Sequence, residues 1–176
     1  MEPPTPDQPV LCAGIGSGLA PHLAFLRDKV RVAEEMKKSA NVDGNASMII
    51  GKFSLYFGNR YSKEEFLYKS ELEEYATKHS DWFTLHTAFS RDDPSHKVYV
   101  QDLVGQTMDA KLLLRNTTNG MLYVCGNRQL PKPLQEALVR SFRMKGDEEE
   151  NGVSLEEATK DMENLYIRGR AQQEVW

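Results

Sequence analysis

Residues 88–101, AFSRDDPSHKVYVQ, gather Ser90, Arg91, Lys97 and Tyr99 around one short acidic loop. Such a set suits a dianionic phosphate monoester. Arg offers a planar fork of donors and Lys a point charge. Ser and Tyr add neutral donors, and an aromatic face can stack on a base. The same residues also suit a solvated loop, and the cluster alone leaves both readings open. A second candidate is Gly14-Ile15-Gly16-Ser17-Gly18, between an apolar run and a helix start at Leu19-Ala20-Pro21. A strand, a glycine turn and a helix present backbone N–H groups and a positive helix end to a pyrophosphate. The alternative is a merely tight turn. The spacing is not G-x-G-x-x-G, because position 19 is Leu, and the second strand ends in Gly58-Asn59-Arg60 with no acidic residue to hold a ribose hydroxyl.

Two more segments carry reactive or flat side chains. In Tyr123-Val124-Cys125-Gly126-Asn127-Arg128, a Cys followed by Gly at a strand's carboxyl end can point its thiol toward a ligand crevice. A free Cys is equally well a small buried hydrophobe, which is how Cys12 reads. The last residue, Trp176, follows Glu174-Val175 and suits an anchor, a stacking platform or ordinary packing.

The elements that must position these residues follow from pattern. Val10–Ala13, Phe53–Phe57, Trp82–Phe89 and Met121–Cys125 read as strands. Helices are predicted from Leu19 to about Lys38, from Lys63 to about His79, from Val98 to about Leu114, from Pro131 to about Met144, and from Ser154 to about Ile167. Ser62/Glu65 and Ser154/Glu157 have capping-box spacing. Residues 39–49 and 145–152 read as loops, and 168–176 as a tail. Strand and helix alternate about five times. That implies a Rossmann-like, three-layer α/β fold: an open parallel sheet of about five strands with helices on both faces. Ligands in such sheets bind at the carboxyl ends of the strands.

The chain has 176 residues, enough for one domain with a real core. Its net charge of −4 argues against general nucleic-acid affinity. No apolar run reaches the roughly 20 residues that span a bilayer, and the acidic, Pro-rich start MEPPTPDQP is not a signal peptide. Two cysteines in apolar runs fit a reducing, cytoplasmic setting for this domain. No metal site is expected.

In chain order, GIGSGLAP resembles G-P-G-T-G-x-A-P, YFGNRYSKEEFLYKSEL resembles Y-Y-G-C-R with its L-Y-x-x-E-L helix, AFSRDDPSHKVYVQ resembles A-F-S-R with K-V-Y-V-Q, YVCGN resembles Y-V-C-G-D, and EVW resembles D-V-W. These are motifs of the NADP-binding domain of the diflavin reductases, the NADPH–cytochrome reductase branch of the ferredoxin–NADP reductase superfamily. The resemblance spans nearly the whole chain. It implies residues 10–176 as an NADP(H)-binding domain and residues 1–9 as a linker from an upstream FAD-binding domain. It implies a pyrophosphate cradle at Gly14, Gly16, Ser17, Gly18 and Pro21, and a phosphate contact from Arg60. Ser90, Arg91, Lys97 and Tyr99 would bind the 2′-phosphate with Gln101 close by, and Gly126 and Asn127 would lie at the nicotinamide end. Cys125, Glu174 and Trp176 would serve hydride transfer from NADPH to FAD. Electrons would then pass through FMN to an acceptor such as a haem protein. The FAD motif R-x-Y-S is absent, so the isolated chain is expected to be inactive without a flavin domain. Ile15, His22, Asn59, Asn127, Ala171 and Glu174 depart from the family pattern. The alternative is a non-catalytic module that senses NADP(H) or binds a partner.

Overall fold

The apolar run at Val10–Ala13 becomes the centre of the sheet. The computed structural model describes residues 1–43, 49–145 and 152–176, the side chains of 40–43 excepted. Strand β1 (Val10–Ile15) lies between β2 (Phe53–Asn59) and β4 (Met121–Gly126). Strand β3 (Phe83–Phe89) flanks β2, and β5 (Ala171–Val175) flanks β4. The order is β3-β2-β1-β4-β5 and every pairing is parallel. Strands covered on both faces read as near-continuous apolar runs, and the central three do so here.

Helices α1 (Leu19–Asp43) and α3 (Lys69–Lys78) cover one face, where Leu23, Leu26 and Leu72 meet Val10, Cys12, Phe53 and Tyr123. Helices α4 (Val100–Gln106), α5 (Pro131–Phe142) and α6 (Leu155–Ile167) cover the other, where Val104, Leu134 and Leu138 meet Leu11, Ala13, Leu122 and Val124. This is the expected three-layer open parallel sheet. The chain leaves β1 toward one face and β4 toward the other. A crevice therefore opens between the carboxyl ends of these neighbours, the switch point of the topology.

Several local expectations are corrected. The helix expected over residues 63–79 is two pieces, a single turn α2 (Ser62–Glu65) and then α3. Between them Phe66 packs among Phe57 and Phe89, and Tyr68 adopts a left-handed φ of 54°. Ser62 does not cap, because the Glu65 carboxylate turns to the backbone N–H groups of Arg60 and Tyr61. The helix expected over 98–114 also breaks, at an extended Thr107, and resumes as a π-helical turn, Lys111–Arg115. Tertiary bonds hold that break open. Ser141 Oγ donates to the Thr107 carbonyl at 2.6 Å, and the Thr107 hydroxyl meets the Tyr56 hydroxyl at 2.5 Å. Helix α5 stops at Phe142. Ser154 caps α6 as expected, accepting the Glu157 N–H at 3.1 Å. Helix α1 runs five residues past Lys38, to Asp43, into the expected 39–49 loop; residues 44–48 of that loop, and 146–151 of the acidic one, lie outside the described residues. The tail forms β5.

Residues 1–9 lie against the domain. The Glu2 N–H donates to Gln172 Oε1 at 2.7 Å, and the Tyr123 hydroxyl donates to the Glu2 carbonyl at 2.9 Å. Lys29, buried under this segment, donates Nζ to the Gln8 carbonyl at 2.7 Å. Burial lowers its pKa to about 8.

Candidate functional site

The glycine turn closes β1 against β4. A Cβ on Gly18 would stand 2.2 Å from the Cys125 carbonyl oxygen, so only glycine lets the turn seat on the end of β4. Gly16 has a φ of 57° and faces open space, with nothing within 4 Å of a Cβ. The first turn of α1 carries no acidic side chain, so the positive end of a long helix is uncompensated there. An open, glycine-lined turn at such a helix end fits a pyrophosphate.

Behind the turn lies His22, fully buried. Its Nε2 donates to the Ala13 carbonyl at 3.2 Å, and Nδ1 has no partner among the described residues. Burial holds its pKa down to about 4 from 6.5. An unfolded His22 takes a proton near 6.5, whereas the folded one resists until about 4, so the unfolded state binds more protons in between. Stability from this group is complete above 6.5 and is lost as pH falls toward 4, on the order of 3 kcal/mol in all. Buried His79 acts in the same direction. Urea midpoints measured from neutral to acid pH should therefore fall, and His22→Phe should flatten that limb. An unchanged slope would assign the acid sensitivity elsewhere.

At the switch point two adjoining clefts open. One, of about 200 Å³, is lined by Ile15, Gly58, Asn59, Arg60, Ala88, Ser90, Val98, Tyr99, Val100 and Asn127. The other shares Ile15, Tyr99 and Asn127 with it and adds Gln101, Gln129, Leu130 and Pro133. Val100 packs on Gly58, where a Cβ would meet its Cγ2 at 2.5 Å. Tyr99 precedes α4 with its backbone N–H accepted by Asp102 at 2.9 Å, and its ring is exposed over both clefts.

Thus Arg60, Ser90, Tyr99, Gln101 and Asn127 come together. Arg91 and Lys97 are exposed on the loop that leaves Ser90, beside the cleft and not lining it. Arg60 is paired with Glu65, which holds that carboxyl below its usual range. Cys125 lines neither cleft. It is 4% exposed beneath the glycine turn, and burial, with Glu174 assisting, raises its pKa and keeps the thiol protonated. Glu174 pairs in register with Cys125, and its exposed carboxylate meets the Met1 nitrogen at 3.0 Å. Trp176 is tied by its backbone, with N–H to the Gly126 carbonyl at 3.1 Å and its carbonyl oxygen to the Arg128 N–H at 3.0 Å, while its ring stays exposed. Ile15, Val98 and Pro133 were not expected as lining residues. Ile15 and Val98 carried a signal, their places inside the glycine turn and the 88–101 stretch; Pro133 carried none. The described residues contain no cluster of metal-ligating side chains and no helix long and apolar enough to cross a membrane.

A parallel sheet whose switch point carries a glycine turn, a helix N-terminus and a cation-flanked cleft defines a nucleotide-binding domain, and the family model for the oxidoreductase NAD-binding domain matches residues 11–136. The chain belongs to that family. It is 39% identical over its whole length to the pyruvate dehydrogenase [NADP(+)] of Euglena gracilis and 34% identical over 99% of its length to the NADPH–cytochrome P450 reductase of Saccharomyces cerevisiae. It is also 31% identical over 99% of its length to the bifunctional cytochrome P450/NADPH–P450 reductase of Bacillus cereus. It spans only 9%, 24% and 15% of these relatives' own lengths. The expected likeness to the NADP-binding part of diflavin reductases is borne out.

Proposed function

We propose that residues 10–176 bind NADP(H) and exchange hydride with an FAD held by a neighbouring domain, residues 1–9 being the link to it. The observation that carries this reading is the convergence of Ser90, Tyr99 and Arg60 on one cleft at the switch point, flanked by Arg91 and Lys97. The 2′-phosphate takes its donors from Ser90, Arg91, Lys97 and Tyr99, with Gln101 beside them. The pyrophosphate lies over Gly14, Gly16, Ser17, Gly18 and Pro21, and Arg60 exchanges Glu65 for a phosphate oxygen. The nicotinamide lies toward Gly126 and Asn127, with Cys125 and Glu174 beside it and Trp176 covering the flavin. The bound nucleotide supplies the hydride; the chain's residues hold, orient and shield it. In the leading reading electrons leave through FAD and FMN to a haem protein. The compartment is reducing and, for this domain, cytoplasmic, which two buried free cysteines support.

A second direction of flow is favoured by one comparison. The pyruvate dehydrogenase [NADP(+)] shares more identity with the chain than the yeast reductase does, 39% against 34%. In that reading hydride runs from flavin to NADP+, and the compartment follows the parent protein; the Euglena relative is named as mitochondrial.

Calorimetry of the domain with NADP+, NAD+ and 2′,5′-ADP tests the shared core of both readings. Tight NADP+ and 2′,5′-ADP with weak NAD+ is expected. Equal binding of NAD+, or no binding, would defeat it. Hydride exchange on mixing with a relative's FAD domain separates both readings from a non-catalytic sensor of NADP(H).

A further inference from the structure

The parallel pairing of β2 with β3 continues past the ends of both strands. The Ser90 N–H donates to the Asn59 carbonyl at 3.1 Å, the Arg91 N–H to the Arg60 carbonyl at 2.9 Å, and the Ser62 N–H to Asp92 Oδ1 at 3.0 Å. The loop after β2 is itself pinned from behind. Glu65 accepts the N–H groups of Arg60 and Tyr61 at 3.0 and 3.2 Å, and Asn59 Nδ2 donates to the Glu65 carbonyl at 3.1 Å. The two arginines of these loops end in different states. Arg60 is neutralised by Glu65. Arg91 is paired with no carboxylate among the described residues; its guanidinium carbon lies 6.0 Å from the centre of the Tyr61 ring.

An aromatic face holds a guanidinium without neutralising it. A carboxylate in the same place would compete with an incoming phosphate, whereas a ring leaves the full charge and the donor edge free. Tyr61 is 37% exposed, its backbone N–H is held by Glu65, and it follows Arg60, which lines the cleft, so its ring is available to the Arg91 guanidinium. We propose that Tyr61 is a specificity-determining positioning residue: by seating Arg91 at the rim of the cleft, it sets the preference for a nucleotide bearing a 2′-phosphate over one with a free 2′-hydroxyl. This rests on the NADP(H) reading above. Tyr61 acts through Arg91 and makes no bond to the phosphate.

The test uses the whole chain with Tyr61→Ala, Tyr61→Leu and Tyr61→Phe, each alone and in an Arg91→Ala background. Affinities for NADP+, NAD+ and 2′,5′-ADP are read by calorimetry, with thermal melts alongside. Ala and Leu should weaken NADP+ and 2′,5′-ADP roughly two- to five-fold, the scale of one exposed cation–π contact, leaving NAD+ and the melting point unmoved. Phe keeps the ring face and should behave as the parent does. In the Arg91→Ala background the Tyr61 changes should add nothing. The inference is overturned if Phe is as impaired as Ala, if NAD+ weakens in step with NADP+, or if the losses persist without Arg91. A parent chain that does not prefer NADP+ fails at the earlier reading. A parent that prefers NADP+ and a Tyr61→Ala variant that keeps the whole preference fail here alone.

Discussion

Arg91→Ala should weaken NADP+ binding roughly 10–150-fold and leave NAD+ nearly untouched. A hydrogen bond to a charged group is worth about 1.5–3 kcal/mol, and Arg91 approaches the cleft with its charge uncancelled by any carboxylate among the described residues. Its backbone is also anchored, through its N–H to the Arg60 carbonyl, so binding has only the side chain left to order. NAD+ has no 2′-phosphate and therefore no partner for this donor. Because Arg91 and Lys97 are exposed, the loss should shrink as salt rises. Arg91→Lys should recover part of the affinity, since a point charge replaces the attraction and not the two-pronged geometry. Calorimetry at low and high salt reads all three. A variant that binds NADP+ as the parent does would show that the loop is not where the 2′-phosphate goes.

Gly18→Ala should damage the fold more than any other single methyl group at the site. The added Cβ would stand 2.2 Å from the Cys125 carbonyl oxygen and 2.6 Å from its carbonyl carbon. Both are backbone atoms of a strand paired on each side, so neither can swing away as a side chain would. Overpacking of this kind costs about 1–3 kcal/mol where neighbours adjust; here they cannot, so a cost of at least about 3 kcal/mol is expected. At roughly 2–4 °C per kcal/mol for a chain of this size, the melting point should drop by about 6–12 °C. Gly16→Ala makes the contrast. It adds about 1–2 kcal/mol of left-handed strain but meets nothing within 4 Å. Its methyl enters the open space over the turn, so binding should suffer more than stability. A Gly18→Ala melt within a degree or two of the parent would mean that the turn is not seated on β4.

Periodicity exposed most of the sheet because the central three strands are buried apolar runs, and the half-buried β3 still carries Phe83, Leu85 and Phe89 in alternation. It did not expose β5. Ala171-Gln172-Gln173-Glu174-Val175 has the polarity of a loop and is a strand only because β4 lies beside it to pair with. The broken helices failed for the same reason at another level. Nothing local to residues 98–114 announces that Tyr56 and Ser141, distant in sequence, will hold Thr107 extended. At the site, residue type and order located Ser90, Tyr99 and Arg60 beside one cleft. The acidic partner of Arg60 was hidden in plain view, because Glu65 had the spacing of a helix cap and spends its carboxylate on the loop instead. Cys125 was ambiguous in sequence, and its burial beneath Gly18 depends on a turn more than a hundred residues away.

The strand order β3-β2-β1-β4-β5 places β1 between two arms. In the proposed reading the β2–β3 arm handles the far end of the coenzyme, and the β4–β5 arm handles the reacting ring. The glycine turn on β1 is their common midpoint. Substitutions in one arm then leave the other's chemistry in place. Coenzyme choice becomes a trait that lineages can revise independently of turnover, and an engineer seeking an NADH-using variant has a small, self-contained region to redraw.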